Sequence, residues 1–223
     1  MWKQYRVSVI IPTKNEEEAI GKVLAEIPRD IVDEIIVVDS SNDRTSEIAE
    51  IYGAKVIKES RKGYGRAYKT GFLYATGDII VTLDGDGSYP AYYVPELIKN
   101  LLSEDLDFIT TNRFALMEPG SMSSIHKLGN YVLSLACRLL FCISISDSQS
   151  GMWCFKRSIL RKIMPNNDGM PFSEEIKIRA FLKGKAREVP IVYRRRLGRS
   201  KTNTIVDGLR NLLYLVILRL RDV

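Results

Sequence analysis

Short apolar runs alternate with stretches of helical apolar spacing through the first half of the chain. Val7 to Ile11, Glu34 to Val38, Ala54 to Lys58 and Ile79 to Leu83 are brief and rich in β-branched residues, and each predicts a buried strand. Between them, Glu16 to Ile27 repeats apolar residues at Ala19, Ile20, Val23, Leu24 and Ile27, as a helix with one buried face does. Arg44 to Tyr52 and Gly65 to Ala75 also read as helices, and Pro12, Gly53 and Gly77 stop the elements they follow. Strands and helices joined by short connections predict parallel strands, right-handed crossovers and helices on both faces of a sheet. Ligands of such sheets sit beyond the C-terminal ends of the strands. Thr13, Asn15, Asp39, Asp43, Asp84 and Asp86 all follow strand ends, so they are expected along one edge.

The second half is less regular. Val94 to Leu102 predicts a helix, Phe108 to Thr111 a strand and Met117 to Ser124 a mobile loop rich in Gly, Ser and Pro. Ile125 to Ile145 is largely apolar and reads as helical over much of its length, with packing on the core favoured over a membrane contact through Val132 to Ile145. Trp153 to Phe155 reads as a short strand, Arg157 to Met164 and Glu174 to Lys183 as helices, and Val189 to Tyr193 as a last strand. With no internal repeat and no clear linker, one domain is expected over 1–203, followed by an amphipathic helix over 204–223. Leu212, Leu213, Leu215, Val216, Ile217, Leu218 and Leu220 lie between Arg210 and Arg219 or Arg221. That run is too short to span a bilayer and suits a helix lying on an anionic membrane surface.

Composition narrows the partners. The 223 residues carry a net charge of +6, with 45% hydrophobic and 27% charged positions, an ordinary globular balance that favours anionic ligands. Cys137, Cys142 and Cys154 are odd in number and lack zinc-site spacing, so reduced packing residues in a cytosolic compartment are expected. The N-terminal residues lack the apolar core of a signal peptide.

The candidate chemistry centres on Asp84 and Asp86. They leave a buried strand at alternate positions in Asp84-Gly85-Asp86-Gly87-Ser88-Tyr89-Pro90. Two ionised carboxylates placed side by side need a cation between them, and oxygen donors suit Mg²⁺ or Mn²⁺ together with substrate phosphates. An exposed Asp-Gly turn is the plainer alternative.

The succession Pro12-Thr13-Lys14-Asn15-Glu16, Val37-Val38-Asp39-Ser40-Ser41-Asn42-Asp43, Lys62-Gly63-Tyr64-Gly65-Arg66-Ala67 and Asp84-Gly85-Asp86 resembles the family 2 glycosyltransferases. Later segments extend the likeness: Thr111-Asn112-Arg113-Phe114, Asp147-Ser148-Gln149-Ser150-Gly151, Phe172-Ser173-Glu174-Glu175 and Arg196-Leu197-Gly198-Arg199-Ser200-Lys201. They are similar to the dolichyl-phosphate mannosyltransferase or polyprenyl-phosphate sugar synthase branch. The resemblance runs from Val7 to Lys201, and the order of the motifs makes it specific. It implies the α/β GT-A fold, a Rossmann-like nucleotide-sugar transferase fold with a mostly parallel central sheet flanked by helices.

The activity implied is metal-dependent, inverting transfer of a hexose, mannose before glucose, from GDP-mannose or UDP-glucose to dolichyl or polyprenyl phosphate. Pro12, Thr13, Glu16, Asp39, Lys62, Asp84 and Gly85 would hold the nucleotide, and Asp84 and Asp86 the metal. Asp86, Arg113 and Arg196 would carry catalysis. Arg113, Lys127, Arg196 and Lys201 would grip the acceptor phosphate, with Glu174 and Glu175 in the acceptor pocket. Branch relatives often have Gln where Ser88 stands, and a helix arginine near His126 and Lys127. His126, the only histidine, is read as structural by about two to one. Relatives also commonly carry C-terminal transmembrane helices. Peripheral attachment to the cytoplasmic face of a membrane, or a membrane-anchoring partner subunit, is therefore expected.

Three other readings are weighed, and one of them, a nucleotidyltransferase, would need a Gly-rich triphosphate loop after the first strand that Pro12-Thr13-Lys14-Asn15-Glu16 does not provide. A family 2 transferase acting on a sugar hydroxyl would need a base, for which Glu175 is the candidate. Processivity is disfavoured because Gln149-Ser150-Gly151-Met152-Trp153 lacks the arginine of Gln-x-x-Arg-Trp. A non-enzymatic module binding anionic surfaces through Arg194 to Lys201 would ignore the aspartates. Nucleic acid is not expected as a partner, since no base-stacking aromatic pattern accompanies those cations.

Overall fold

The computed structural model describes residues 4–198 and 204–221. Its centre is a seven-stranded sheet in the order β3-β2-β1-β4-β6-β5-β7. The strands are β1 (Val7–Thr13), β2 (Glu34–Asp39), β3 (Lys55–Lys58), β4 (Ile79–Thr82), β5 (Phe108–Met117), β6 (Trp153–Lys156) and β7 (Ala186–Tyr193). All pairings are parallel except those of β6, which runs against both β4 and β5. β1 and β4 are mostly apolar and buried almost throughout because helices cover both their faces, as central strands of such sheets require.

Three apolar clusters order the layers. On one face, α1 (Ile20–Ala25), α2 (Thr45–Ile51) and α4 (Val94–Ser103) pack Leu24, Ala49 and Leu97 against Val9, Val37 and Val81. On the other, α3 (Tyr64–Tyr74), α6 (Leu160–Ile163) and α7 (Phe172–Lys183) pack Tyr68, Ile163 and Phe172 against Ile10, Ile80 and Trp153. A third cluster joins Leu133, Cys137 and Phe141 of α5 (Ser124–Phe141) to Leu215 and Leu218 of α8 (Thr204–Leu220), with Ile178 of α7. The C-terminal helix is thus packed onto the body through one face.

Three expectations change. First, α1 starts at Ile20 rather than Glu16, so Glu16 sits on the approach to the helix, its carbonyl accepting from the backbone N–H groups of Ala19 and Ile20. Second, β5 continues well beyond Thr111 to Met117, through an irregularity between Asn112 and Leu116 where it tracks β7. Third, α5 buries only one side. Ile125, Leu128, Val132, Leu135 and Leu139 recur every three or four residues and face outward, Leu139 being 71% exposed. Leu209, Leu213, Val216 and Leu220 form a second outward stripe on α8. The apolar content of α5 therefore serves two surfaces, which composition alone does not separate. No described helix is long and apolar enough to cross a membrane. The cysteines are free; Cys137 and Cys154 are buried, but Cys142 is exposed where α5 ends in a left-handed turn.

Candidate active site

The parallel strands deliver their C-terminal ends to a cavity of about 1260 Å³. Register sets its first wall: Thr13 ends β1 directly opposite Asp39 at the end of β2. Pro12, Thr13, Glu16, Asp39, Lys62, Asp84, Gly85, Asp86, Arg113 and Arg196 all line this cavity.

Asp39 is fully buried and heavily bonded. Its carboxylate accepts from Thr13 Oγ1 at 2.8 Å, the Ser41 backbone N–H at 3.2 Å and Lys58 Nζ at 3.0 Å, and from the Ser41 and Ser46 hydroxyls. Burial pushes its pKa upward, but those donors outweigh burial and hold it below the ordinary value. Five donors saturate a carboxylate. Asp39 therefore organises this wall, and the donors around it have the freer side chains.

Asp84 and Asp86 differ sharply in partners. Asp86 accepts from the Ser88 backbone N–H at 2.9 Å and the Ser88 hydroxyl at 2.6 Å. Gly87, at φ 79°, makes the left-handed turn that brings Ser88 back. The hydroxyl of Ser88 thus orients Asp86 rather than standing as a third ligand. Asp84 has one long contact, from the Tyr64 hydroxyl at 3.5 Å. Burial first, and the charge of Asp86 second, raise the Asp84 pKa to about 7 against the pull of Arg113 and Arg196. Above Asp84 lies Gly151, where a Cβ would come within 3.1 Å of both carboxylate oxygens. Tyr89 fixes that glycine by accepting from its N–H at 2.7 Å, and Thr82 by donating to its carbonyl at 2.9 Å.

This nearly bare carboxylate beside a second one fits a hard divalent cation. No group of three or more His, Cys, Asp or Glu among the described residues is arranged to hold a metal. The remaining ligands would have to come from substrate and water.

Cations face the pair. Arg196 reaches Glu16 Oε1 at 3.3 Å with one nitrogen and Asp86 Oδ2 at 3.4 Å with another, while its buried Nε has no partner among the described residues. Arg113 is 5% exposed, forks across Asp147 and lies against the Tyr193 ring. His126 also lines the cavity. Burial, then the charge of Arg113, lowers its pKa, so it is neutral at pH 7.

Several expected residues lie elsewhere. Lys127 does not line the cavity; it sits on α5 with Nζ 6.0 Å from the Tyr131 ring centroid. One helical step separates it from His126, which takes the inward position. Glu174 and Glu175 are fully buried and do not line the cavity either. Glu174 accepts from Gln149 Nε2, its other oxygen has no partner, and burial pushes its pKa to about 8. Glu175 receives Arg179 Nε at 2.9 Å, the Tyr214 hydroxyl at 2.6 Å and the Asn166 backbone N–H at 3.3 Å, so it ties α8 to α7. Lys201 falls outside the described residues. The cavity instead recruits Tyr64, Tyr89, Gln149 and Asn211. Tyr64, Tyr89 and Gln149 lie within motifs the sequence singles out, and Asn211 stands as a polar residue inside an apolar helical run.

Comparison with known proteins places these features in context. The sequence model described as glycosyl transferase family 2 matches residues 8–164. A dolichyl-phosphate hexose transferase of Haloferax volcanii is 35% identical over 91% of this chain and 89% of its own length. The low-salt glycan biosynthesis hexosyltransferase Agl6 of the same organism is 33% identical over 95% of this chain, which spans 53% of that relative. Glucosyl-3-phosphoglycerate synthase of Mycobacterium tuberculosis, solved with Mn²⁺, UDP-glucose and phosphoglyceric acid, superposes with a TM-score of 0.80 at 26% identity. The match covers 98% of this chain and 80% of that one.

Proposed function

From the premise that the chain belongs to glycosyl transferase family 2, we propose that it moves a hexose from a nucleotide diphosphate sugar to a polyprenyl phosphate, with inversion and with help from Mg²⁺ or Mn²⁺. One observation carries the reading: the aspartate pair and the arginines Arg113 and Arg196 face one cavity. The named relative that transfers hexose to a dolichyl phosphate supports the acceptor class, and the neighbour solved with Mn²⁺ and UDP-glucose supports the donor class.

Asp84 and Asp86 would hold the ion, which neutralises the departing diphosphate when bound. Arg196, with an unpartnered Nε, offers a donor to phosphate oxygens. Arg113 supplies a fixed positive charge. The acceptor phosphate is already ionised near neutral pH, so its oxygen attacks the anomeric carbon as the bond to the diphosphate breaks. No side chain has to remove a proton, which agrees with Glu174 and Glu175 lying off the cavity. Alignment and charge stabilisation carry the rate.

We further propose that the protein works on a membrane surface, on its cytoplasmic side. The stripes of α5 and α8 support this: Ser124–Phe141 contains Lys127 and Arg138 but no acidic residue, and α8 adds Arg210 and Arg219 against Asp207. An apolar face flanked by cations complements an anionic bilayer.

Incubation with labelled GDP-mannose or UDP-glucose, Mn²⁺ or Mg²⁺ and polyprenyl phosphate tests the activity. A labelled lipid is expected from one donor. Label moved only to phosphoglyceric acid, the acceptor seen in the solved neighbour, would replace this reading with transfer to a small phosphorylated hydroxyl compound. A folded protein inactive with both acceptors would end both readings.

A further inference from the structure

A second cavity, of about 530 Å³, opens beside the first between α8 and the loop that precedes α7. Gly63, Tyr64, Met170, Asp207 and Asn211 line both, so the two are continuous. Beyond that shared wall the character changes. There Pro171, Leu213, Tyr214 and Ile217 line the second cavity with Asn167, Gly169 and Arg210. The Tyr214 hydroxyl is engaged by Glu175 at 2.6 Å, so an occupant meets the ring rather than a free donor. Leu213 stands 61% exposed, apolar surface left in water.

We propose that this groove receives the hydrocarbon chain of the acceptor, at the units next to its phosphate. The inference rests on the lipid-phosphate reading above and adds where the chain lies. Three features choose the occupant. The groove leads out of the cavity that holds the cations. Its walls are apolar, which suits neither a sugar nor a nucleotide. Its far wall, α8, bears the outward stripe read as membrane-facing, so a chain lying there passes from the site toward the bilayer. The volume is that of an ordinary small-ligand site. Each methylene moved from water into such a groove strengthens binding roughly fourfold.

The experiment uses soluble acceptors, which separates chain recognition from membrane partition. Isopentyl phosphate and citronellyl phosphate are compared in detergent-free buffer with the active donor and Mn²⁺. In the wild-type protein kcat/KM should rise about a thousandfold from the shorter to the longer chain, which differ by about five carbons. Leu213→Asn and Ile217→Asn should cut that ratio to below about tenfold. Leu209→Asn, on the same helix but outside the groove, should leave the ratio intact. Leu213→Trp, which fills the groove from an exposed position, should lower turnover of the longer chain more than the shorter. A flat wild-type ratio, or a ratio unchanged by all three groove variants, overturns the groove. Failure of the wild type with every lipid phosphate overturns the acceptor class itself, a distinct result.

Discussion

Asp147 holds the guanidinium of Arg113 in a fork, with Nε 2.7 Å from one carboxylate oxygen and Nη2 2.8 Å from the other. The Arg113 backbone N–H adds a third bond to the same carboxylate at 3.0 Å. Asp147 sits before β6 and Arg113 in β5, so the pair fastens two neighbouring segments at the cavity wall. Removing one partner of a buried pair strands the other. Asp147→Asn should lower stability by about 3 kcal/mol in urea unfolding. It should also reduce kcat/KM about tenfold or more, because Arg113 keeps its charge but loses its aim. A variant as stable and as active as the wild type would remove the fork from both roles.

Asp84 and Asp86 repel one another until a cation arrives. Asp84→Asn should raise the melting temperature in EDTA, since it deletes one of two like charges in a confined site. With saturating Mn²⁺ and a nucleoside diphosphate, the wild type should gain about 5–10 °C and the variant almost nothing. Equal gains for both proteins would place the ion elsewhere.

Glu174 gives a pH signature. Its pKa rises from an ordinary 4.5 to about 8 because it is buried. Between those values the folded protein holds a proton that the unfolded chain has released, so this group makes stability fall as pH rises through the window. Glu174→Gln removes the titration and keeps the shape. The stability of the variant relative to the wild type should therefore climb from pH 5 to pH 8, by an amount on the order of a few kcal/mol. A constant difference across that range would mean that Glu174 is ionised throughout.

Leu128 and Leu139 lie on the outward stripe of α5 at 66% and 71% exposure, so the fold has little stake in them. The wild type should co-sediment with phosphatidylglycerol vesicles more than with phosphatidylcholine ones, and less in high salt. The double variant Leu128→Asp, Leu139→Asp should lose at least about tenfold in partition, each leucine contributing roughly 1.5–3 kcal/mol of burial. Undiminished binding would move the membrane face away from α5.

The nucleotide side of the cavity was legible because chemistry and backbone coincide there. Each parallel strand is a run of β-branched residues that ends in a polar turn, so Thr13, Asp39 and Asp84 declare their edge of the sheet. The acceptor side depends on which way a helical residue points. His126 and Lys127 are sequence neighbours about 100° apart on α5, and only His126 reaches the cavity. Glu175 looked like a site carboxylate, yet Arg179, one turn along the same helix, and Tyr214 of the distant α8 claim it. Nor does a four-residue strand such as β6 announce its direction, since both directions bury the same run, Trp153 to Phe155.

That reversed strand has a consequence for how the enzyme diversifies. The parallel strands bring their exits to the cavity, but β6 brings its entrance, so Gln149, just before that strand, lines the cavity. On the proposed reading, the donor meets the turns that leave β1, β2 and β4, and the acceptor chain meets the helix α8, which leans on the turn before β6 through Asn211 and Gln149. The two sets share a cavity but no loop. On that reading, a change of acceptor calls for editing the turn around Gln149 and the helix α8, with the turns after β1, β2 and β4 left untouched.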